Sequence, residues 1–191
     1  MTAITLTLEP VIHLNPEQFY QLCQVNPDTK LERTASGELV VMAPTGGESG
    51  SRNRRLTQRL GIWTDENGTG EAFDSSTMFQ LPNGAFRSPD AAWISLERWQ
   101  ALSPEERRTF PPICPDFVVE LRSESDTLKS LQEKMQEYLN NGTRLGWLID
   151  PQGKRVEIYR PGKDKEVLFS PVQLFGEDVL PGFILDLSEI L

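Results

Sequence analysis

The amino-acid sequence predicts a mixed α/β fold of the α+β kind, and three observations lead there. Residues 116–149 run strand, helix, strand: DFVVELR, an amphipathic stretch at about 126–140, then LGWLI. A helical crossover of that length sets two strands side by side and parallel. Elsewhere apolar runs are broken by short turn sequences, Ser36-Gly37 and Pro82-Asn83-Gly84 among them, which marks antiparallel pairing. The 191 residues, 38% hydrophobic and 25% charged, suffice for a sizeable core. The expectation is one domain over 1–191, with its core at about 45–151.

The elements follow in order. Asn15-Pro16-Glu17-Gln18 starts a helix, with Asn15 as cap and Phe19 and Leu22 facing inward. A hairpin follows, strands near 29–34 and 38–43. The glycine-rich bend TGGESGS leads into a helix at roughly 48–65, on which Leu56, Leu60 and Trp63 recur at helical spacing. Strands are expected at about 71–80 and 86–94, then a short helix at 97–102 and a proline-rich loop. After strand 116–122, Asp126 reads as the N-cap of the crossover helix, and Gly142 suits a left-handed C-terminal position. Strand 145–149 ends at Asp150-Pro151. A hairpin around Gly153 leads to RVEIYR, EVLFSP adds a strand, and PGFILDLSEIL is a packed tail.

Composition excludes several classes. Cys23 and Cys114 stand far apart with no CxxC or Cys/His spacing, so neither a zinc site nor a disulfide framework is expected; both read as buried thiols of a reducing compartment. The N-terminus lacks a charged, apolar leader, and no run nears membrane-spanning length, so the chain is expected in the cytoplasm and off the membrane. A net charge of −9 argues against a general polyanion binder; phosphate contacts must come from local basic groups. TGGESGS lacks the Lys-Ser/Thr of a P-loop. His13, the only histidine, has no neighbours suggesting a triad, and the four tryptophans read as core packing.

The chemistry gathers around acids in strands. In 116–122, alternation puts Phe117, Val119 and Leu121 on a core face, and Asp116, Val118, Glu120 and Arg122 on the other. A buried charge costs several kcal/mol unless paired or metal-bound. The bland account is a solvated face with a Glu–Arg pair. On the following helix Leu128, Leu131, Met135, Tyr138 and Leu139 share one face, and Lys134 lies about 40° outside it, able to lay its stem on apolar surface and reach the polar strand face. Asp90, after Pro89, opens an apolar run; taken alone it reads as a turn residue. Glu48 opens the 48–65 helix, and Arg52, Arg54, Arg55 and Arg59 make the densest basic stretch of an acidic chain. Such a run is usually a solvated face.

SPDAAWI (88–94), PDFVVELRS (115–123), LQEKMQEYLNNG (131–142) and LGWLIDP (145–151) together resemble the PD-(D/E)XK nuclease superfamily, of restriction-endonuclease-like fold, and within it the Uma-type family of endonucleases. The resemblance covers roughly residues 10–185. It implies a mixed sheet flanked by helices, with added N- and C-terminal hairpins. It also implies hydrolysis of DNA phosphodiesters with Mg²⁺ or Mn²⁺ as cofactor. Asp90 matches the first metal-binding aspartate, Glu120 the (D/E) position, and Glu48 an additional acid of the preceding helix that assists at the metal directly or through water. The chain departs where the pattern wants lysine: Arg122 stands there, and Lys134 matches a lysine relocated to the next helix.

The chemistry favours Lys134 for that role. Arginine stays protonated, whereas a partly buried lysine can shift its pKa and orient or activate a water. Arg52 and Arg55 remain as phosphate or DNA contacts, and Arg122 can clamp a phosphate or pair with an acid. Enzymes that cut both strands often act in pairs, so a homodimer is expected. The competing readings are a non-cleaving member that binds nucleic acid or protein, a two-carboxylate glycosidase using Asp90 and Glu120, and a structural domain in which Glu120 and Arg122 only pair.

Overall fold

The computed structural model of the protein describes residues 3–191. In chain order the elements are β1 (Ile4–Leu6), α1 (Pro16–Val25), β2 (Leu31–Arg33), β3 (Leu39–Val41), α2 (Gly47–Asn67), β4 (Gly70–Asp74), β5 (Phe79–Gln80), β6 (Phe86–Arg87) and β7 (Ala91–Ser95). They continue with α3 (Leu96–Ala101), α4 (Pro104–Arg108), β8 (Phe117–Leu121), α5 (Leu128–Asn140), β9 (Leu145–Asp150), β10 (Arg155–Tyr159), β11 (Glu166–Phe169), β12 (Gln173–Phe175) and β13 (Ile184–Asp186). The strands form a five-stranded sheet, β1-β3-β2-β6-β5, a six-stranded sheet, β11-β10-β9-β8-β7-β4, and a small β12-β13 ladder.

The six-stranded sheet is antiparallel except at β8 and β9, which run parallel with Phe117 beside Leu145 and Glu120 beside Leu148. The crossover α5 packs on one face. There Leu131, Met135 and Tyr138 meet Val118, Leu148, Ala92 and Ile94. Gly146 permits the close approach: a Cβ on it would stand 2.4 Å from Met135 Cε. On the opposite face, Leu56 and Leu60 of α2 pack with Phe117, Val119, Trp93 and Trp147, and the tail closes this core with Leu180, Phe183, Leu187 and Ile190. Each fully buried side chain of this size contributes about 1.5–3 kcal/mol. The tryptophans pack as expected, Trp147 stacking on Phe183 and Trp63 lying 6.0 Å from Trp93. Both cysteines are free, Cys114 buried and Cys23 half-buried.

Five local expectations change. Strand 71–80 is two strands in different sheets, β4 and β5, and 86–94 is likewise β6 and β7. The second break falls at Ser88-Pro89-Asp90, because Pro89 has no N–H to continue a ladder. All five residues of β8 are buried, so the strand has two core faces, and its polar groups are held within the packing by partners. Thr127, not Asp126, caps α5, its hydroxyl accepting from the Ser130 N–H; Asp126 instead accepts from Ser123. The capping box of Ser103 and Glu106 starts α4 inside what reads as loop.

Candidate active site

The two sheets meet where β6 passes into β7, and the polar strand residues collect there. β7 and β8 pair with Ala91 opposite Val119, so one step further along that register Asp90 faces Glu120. Asp90 is fixed by both oxygens: Oδ2 accepts from the Leu121 N–H at 2.8 Å and Oδ1 from Asn53 Nδ2 of α2 at 2.8 Å. Glu120 is 4% exposed and points to the α5 side of the sheet. Its Oε1 lies 2.9 Å from Lys134 Nζ and accepts from the Tyr138 hydroxyl at 3.0 Å. Lys134 and Tyr138 stand one turn apart on α5, so one helix face delivers both.

Lys134 has a second partner from the other sheet. Glu32 of β2, 2% exposed, accepts from Lys134 Nζ through Oε1 at 2.9 Å and from the Ser88 N–H at 2.9 Å. Its Oε2 accepts from Arg87 at 3.2 Å, and Arg87 Nε donates to Glu137 at 2.6 Å. Glu137, Arg87, Glu32, Lys134 and Glu120 thus form a continuous chain of ion pairs crossing from α5 through the five-stranded sheet to β8. A cleft of about 1000 Å³ opens over it, and Lys30, Arg52, Asn53 and Ser123 also line that cleft.

The acids respond differently to this setting. Burial pushes Glu120 up to about 7; Lys134 opposes the shift, and Asp90 and Glu32 add to it. Burial also raises Asp90, against the Leu121 N–H, Lys30 and Lys134. Glu32 is equally buried, but Lys134 and Arg87 outweigh that and hold it at about 2. Burial alone would lower Lys134; Glu120 first and Glu32 next raise it above its ordinary value. The shift thus runs upward, opposite to the direction burial alone would give, because two carboxylates grip the ammonium.

The other expected site residues divide. Glu48 lies at the rim of the cleft, exposed, pairing loosely with Arg52 at 3.5 Å. Arg52 faces the cleft. Arg55 turns away to Glu189, and Arg122 is committed to Asp150, both oxygens at 3.2 Å, and to the Asp126 carbonyl. His13 pairs with Glu9 at the surface. Sequence reasoning missed Glu32, Arg87, Asn53 and the polar use of Tyr138. Glu32 carried the same signal as Glu120, an acid inside a strand between Leu31 and Arg33. Asn53 carried a weaker one, standing beside Arg52 on the helix that Glu48 opens.

Among the described residues no group of three or more His, Cys, Asp or Glu side chains forms a ready-made metal cage. Mg²⁺ seldom needs one: it is commonly held by one or two carboxylates, with water and substrate phosphate filling the rest. Asp90 and Glu120 fit that pattern. Both described contacts to Glu120 fall on Oε1, and no hydrogen bond to Oε2 is described.

A family model named Uma2, described as "Putative restriction endonuclease", matches residues 16–188. No curated protein matches the chain. Among solved structures, the fold is similar to that described as "a putative nuclease belonging to DUF820" from Anabaena variabilis. The TM-score is 0.75 at 20% identity, covering 94% of this chain and 97% of the other.

Proposed function

The chain belongs to the Uma2 family, and from that premise and the geometry of the cleft we propose that it is a metal-dependent endonuclease hydrolysing DNA phosphodiester bonds. One observation carries the reading: Asp90 and Glu120 meet at the sheet joint beside a buried lysine paired with two carboxylates, at the floor of an open cleft.

Asp90 and Glu120 would hold Mg²⁺ or Mn²⁺. The cation, when bound, polarises the scissile phosphate and lowers the pKa of a bound water. Asn53 and the Leu121 N–H keep the Asp90 carboxylate oriented. Tyr138 does the same for Glu120. Strands and a helix hold these groups more accurately than loops would. Lys134, being protonated, offsets charge that develops on the phosphate oxygens and orients water by donating to it; it does not serve as the base. Lys30 and Arg52 line the same cleft and supply local positive charge for the DNA backbone in a chain of net charge −9. Glu48, at the rim, assists through water.

The test is cleavage of plasmid and linear DNA with Mg²⁺ or Mn²⁺ and with chelator. Nicking or cutting is expected with the metals only, and Asp90→Ala, checked for folding, is expected to lose it by at least a hundredfold, the scale of losing a principal electrostatic group. Cleavage that persists in chelator, or in folded Asp90→Ala, would refute the assignment.

A further inference from the structure

Glu32 belongs to the five-stranded sheet, yet its carboxylate ends against the ammonium that serves Glu120 in the six-stranded sheet. Resting on the metal-site reading above, we propose that Glu32 is a positioning residue that takes over the charge of Lys134, freeing Glu120 to bind the metal.

The argument starts from competition for one oxygen set. Lys134 Nζ lies 2.9 Å from Glu120 Oε1 and 2.9 Å from Glu32 Oε1. A carboxylate given to a divalent cation has less negative charge to offer a neighbouring ammonium. Lys134 is only 10% exposed, so the water that reaches it from the cleft cannot replace the charge of a lost carboxylate. With Glu120 as its sole partner, lysine and metal would contend for the same group, and a cation would be left buried beside a dication, which is costly. Glu32 removes that conflict.

Its own placement makes it fit for this. The Ser88 N–H and Arg87 hold its two oxygens separately, so it cannot swing away with the lysine. Arg87 is in turn held by Glu137. Ser88 is two residues from Asp90, so the backbone that fixes Glu32 also sets down the first acid of the site. Glu32 lines the cleft but reaches the reacting groups only through Lys134, which makes it a partner of the site's cation and not a ligand.

The experiment is a calorimetric Mn²⁺ titration of wild type, Glu32→Gln, Glu32→Asp, Lys134→Met and the Glu32→Gln/Lys134→Met double variant, each checked for folding by circular dichroism. Glu32→Gln is expected to bind Mn²⁺ about 10–100-fold more weakly, the usual scale for an outer-shell partner. The double variant is expected to recover most of that loss, because no lysine then competes for Glu120. Glu32→Asp, which keeps the charge, covers the case in which the glutamine variant does not fold, and a smaller loss is expected of it. Wild-type affinity in the folded Glu32 variants, or a loss that Lys134→Met does not relieve, overturns the proposal alone. A wild type that binds no Mn²⁺, with or without DNA, overturns it together with the metal-dependent nuclease reading.

Discussion

Glu120 and Glu32 are buried glutamates sharing one ammonium, yet their carboxyls are driven apart, to about 7 and about 2. Glu32 has a second cation, Arg87, and a backbone N–H; Glu120 has Asp90 nearby and a neutral hydroxyl. Their linkage to stability therefore has opposite signs. From its ordinary value of 4.5, Glu120 is raised on folding, so the folded protein takes up a proton between pH 7 and 4.5 and gains stability as the pH falls through that window. Glu32 is lowered, so its contribution is complete above 4.5 and drains away as the pH falls towards 2. Each effect is on the order of 3 kcal/mol. In chelator, denaturant unfolding is expected to show wild type gaining stability from pH 8 to 5 relative to Glu120→Gln. Equal pH dependence in the two would mean that Glu120 is not strained by its burial.

At the scale of elements, α5 does two things: its apolar seam closes one core, and its flank delivers Lys134 and Tyr138 to Glu120. Both depend on how closely the helix lies on β9, which Gly146 sets beneath Met135. Gly146→Ala places a methyl 2.4 Å from Met135 Cε, so either the methionine end or the helix must move. The expected loss is about 1–3 kcal/mol, with an unchanged urea m-value; a loss below about 0.5 kcal/mol would mean that Met135 alone yields. The β8-α5-β9 unit was readable in the sequence because its periodicities, 2 then 3.6 then an apolar run, are local. Asp90, just before β7, and Glu120 of β8 were singled out by their motif. Glu32 and Arg87 were not, since nothing within LERT or FRSP tells that β2 and β6 form the sheet that abuts Glu120. The division of 71–80 and 86–94 between two sheets escaped for the same reason: the polar Asp74-Ser75-Ser76 in the first and Pro89 in the second signal a break, but not where each half goes. That Arg122 could pair with an acid was legible, but position alone cannot foresee that the acid is Asp150 at the end of the parallel neighbour β9.

On the scale of the molecule, the site is the fastening between the two large sheets. Glu32, Arg87 and the Ser88 N–H come from one side, Glu120 from the other, and Asp90 from the link between them. Among the described residues no helix is long and apolar enough to cross a membrane, and the stability of the chain rests on these packed sheets. If a metal binds Asp90 and Glu120 as proposed, it sits where the two sheets join, and its binding energy is expected to be felt by the whole fold and not by one layer. At a Mn²⁺ concentration a hundredfold above Kd, binding adds about 2.7 kcal/mol to the unfolding free energy. For a chain of this length that shifts Tm by roughly 5–10 °C. Scanning calorimetry of the wild type is expected to show one transition, moved upward by Mn²⁺ and returned by chelator, and Asp90→Asn is expected to keep the transition without the shift. Two transitions, of which Mn²⁺ moves only one, would show that the sheets unfold separately and that the ion pairs of Glu32 do not bind them together.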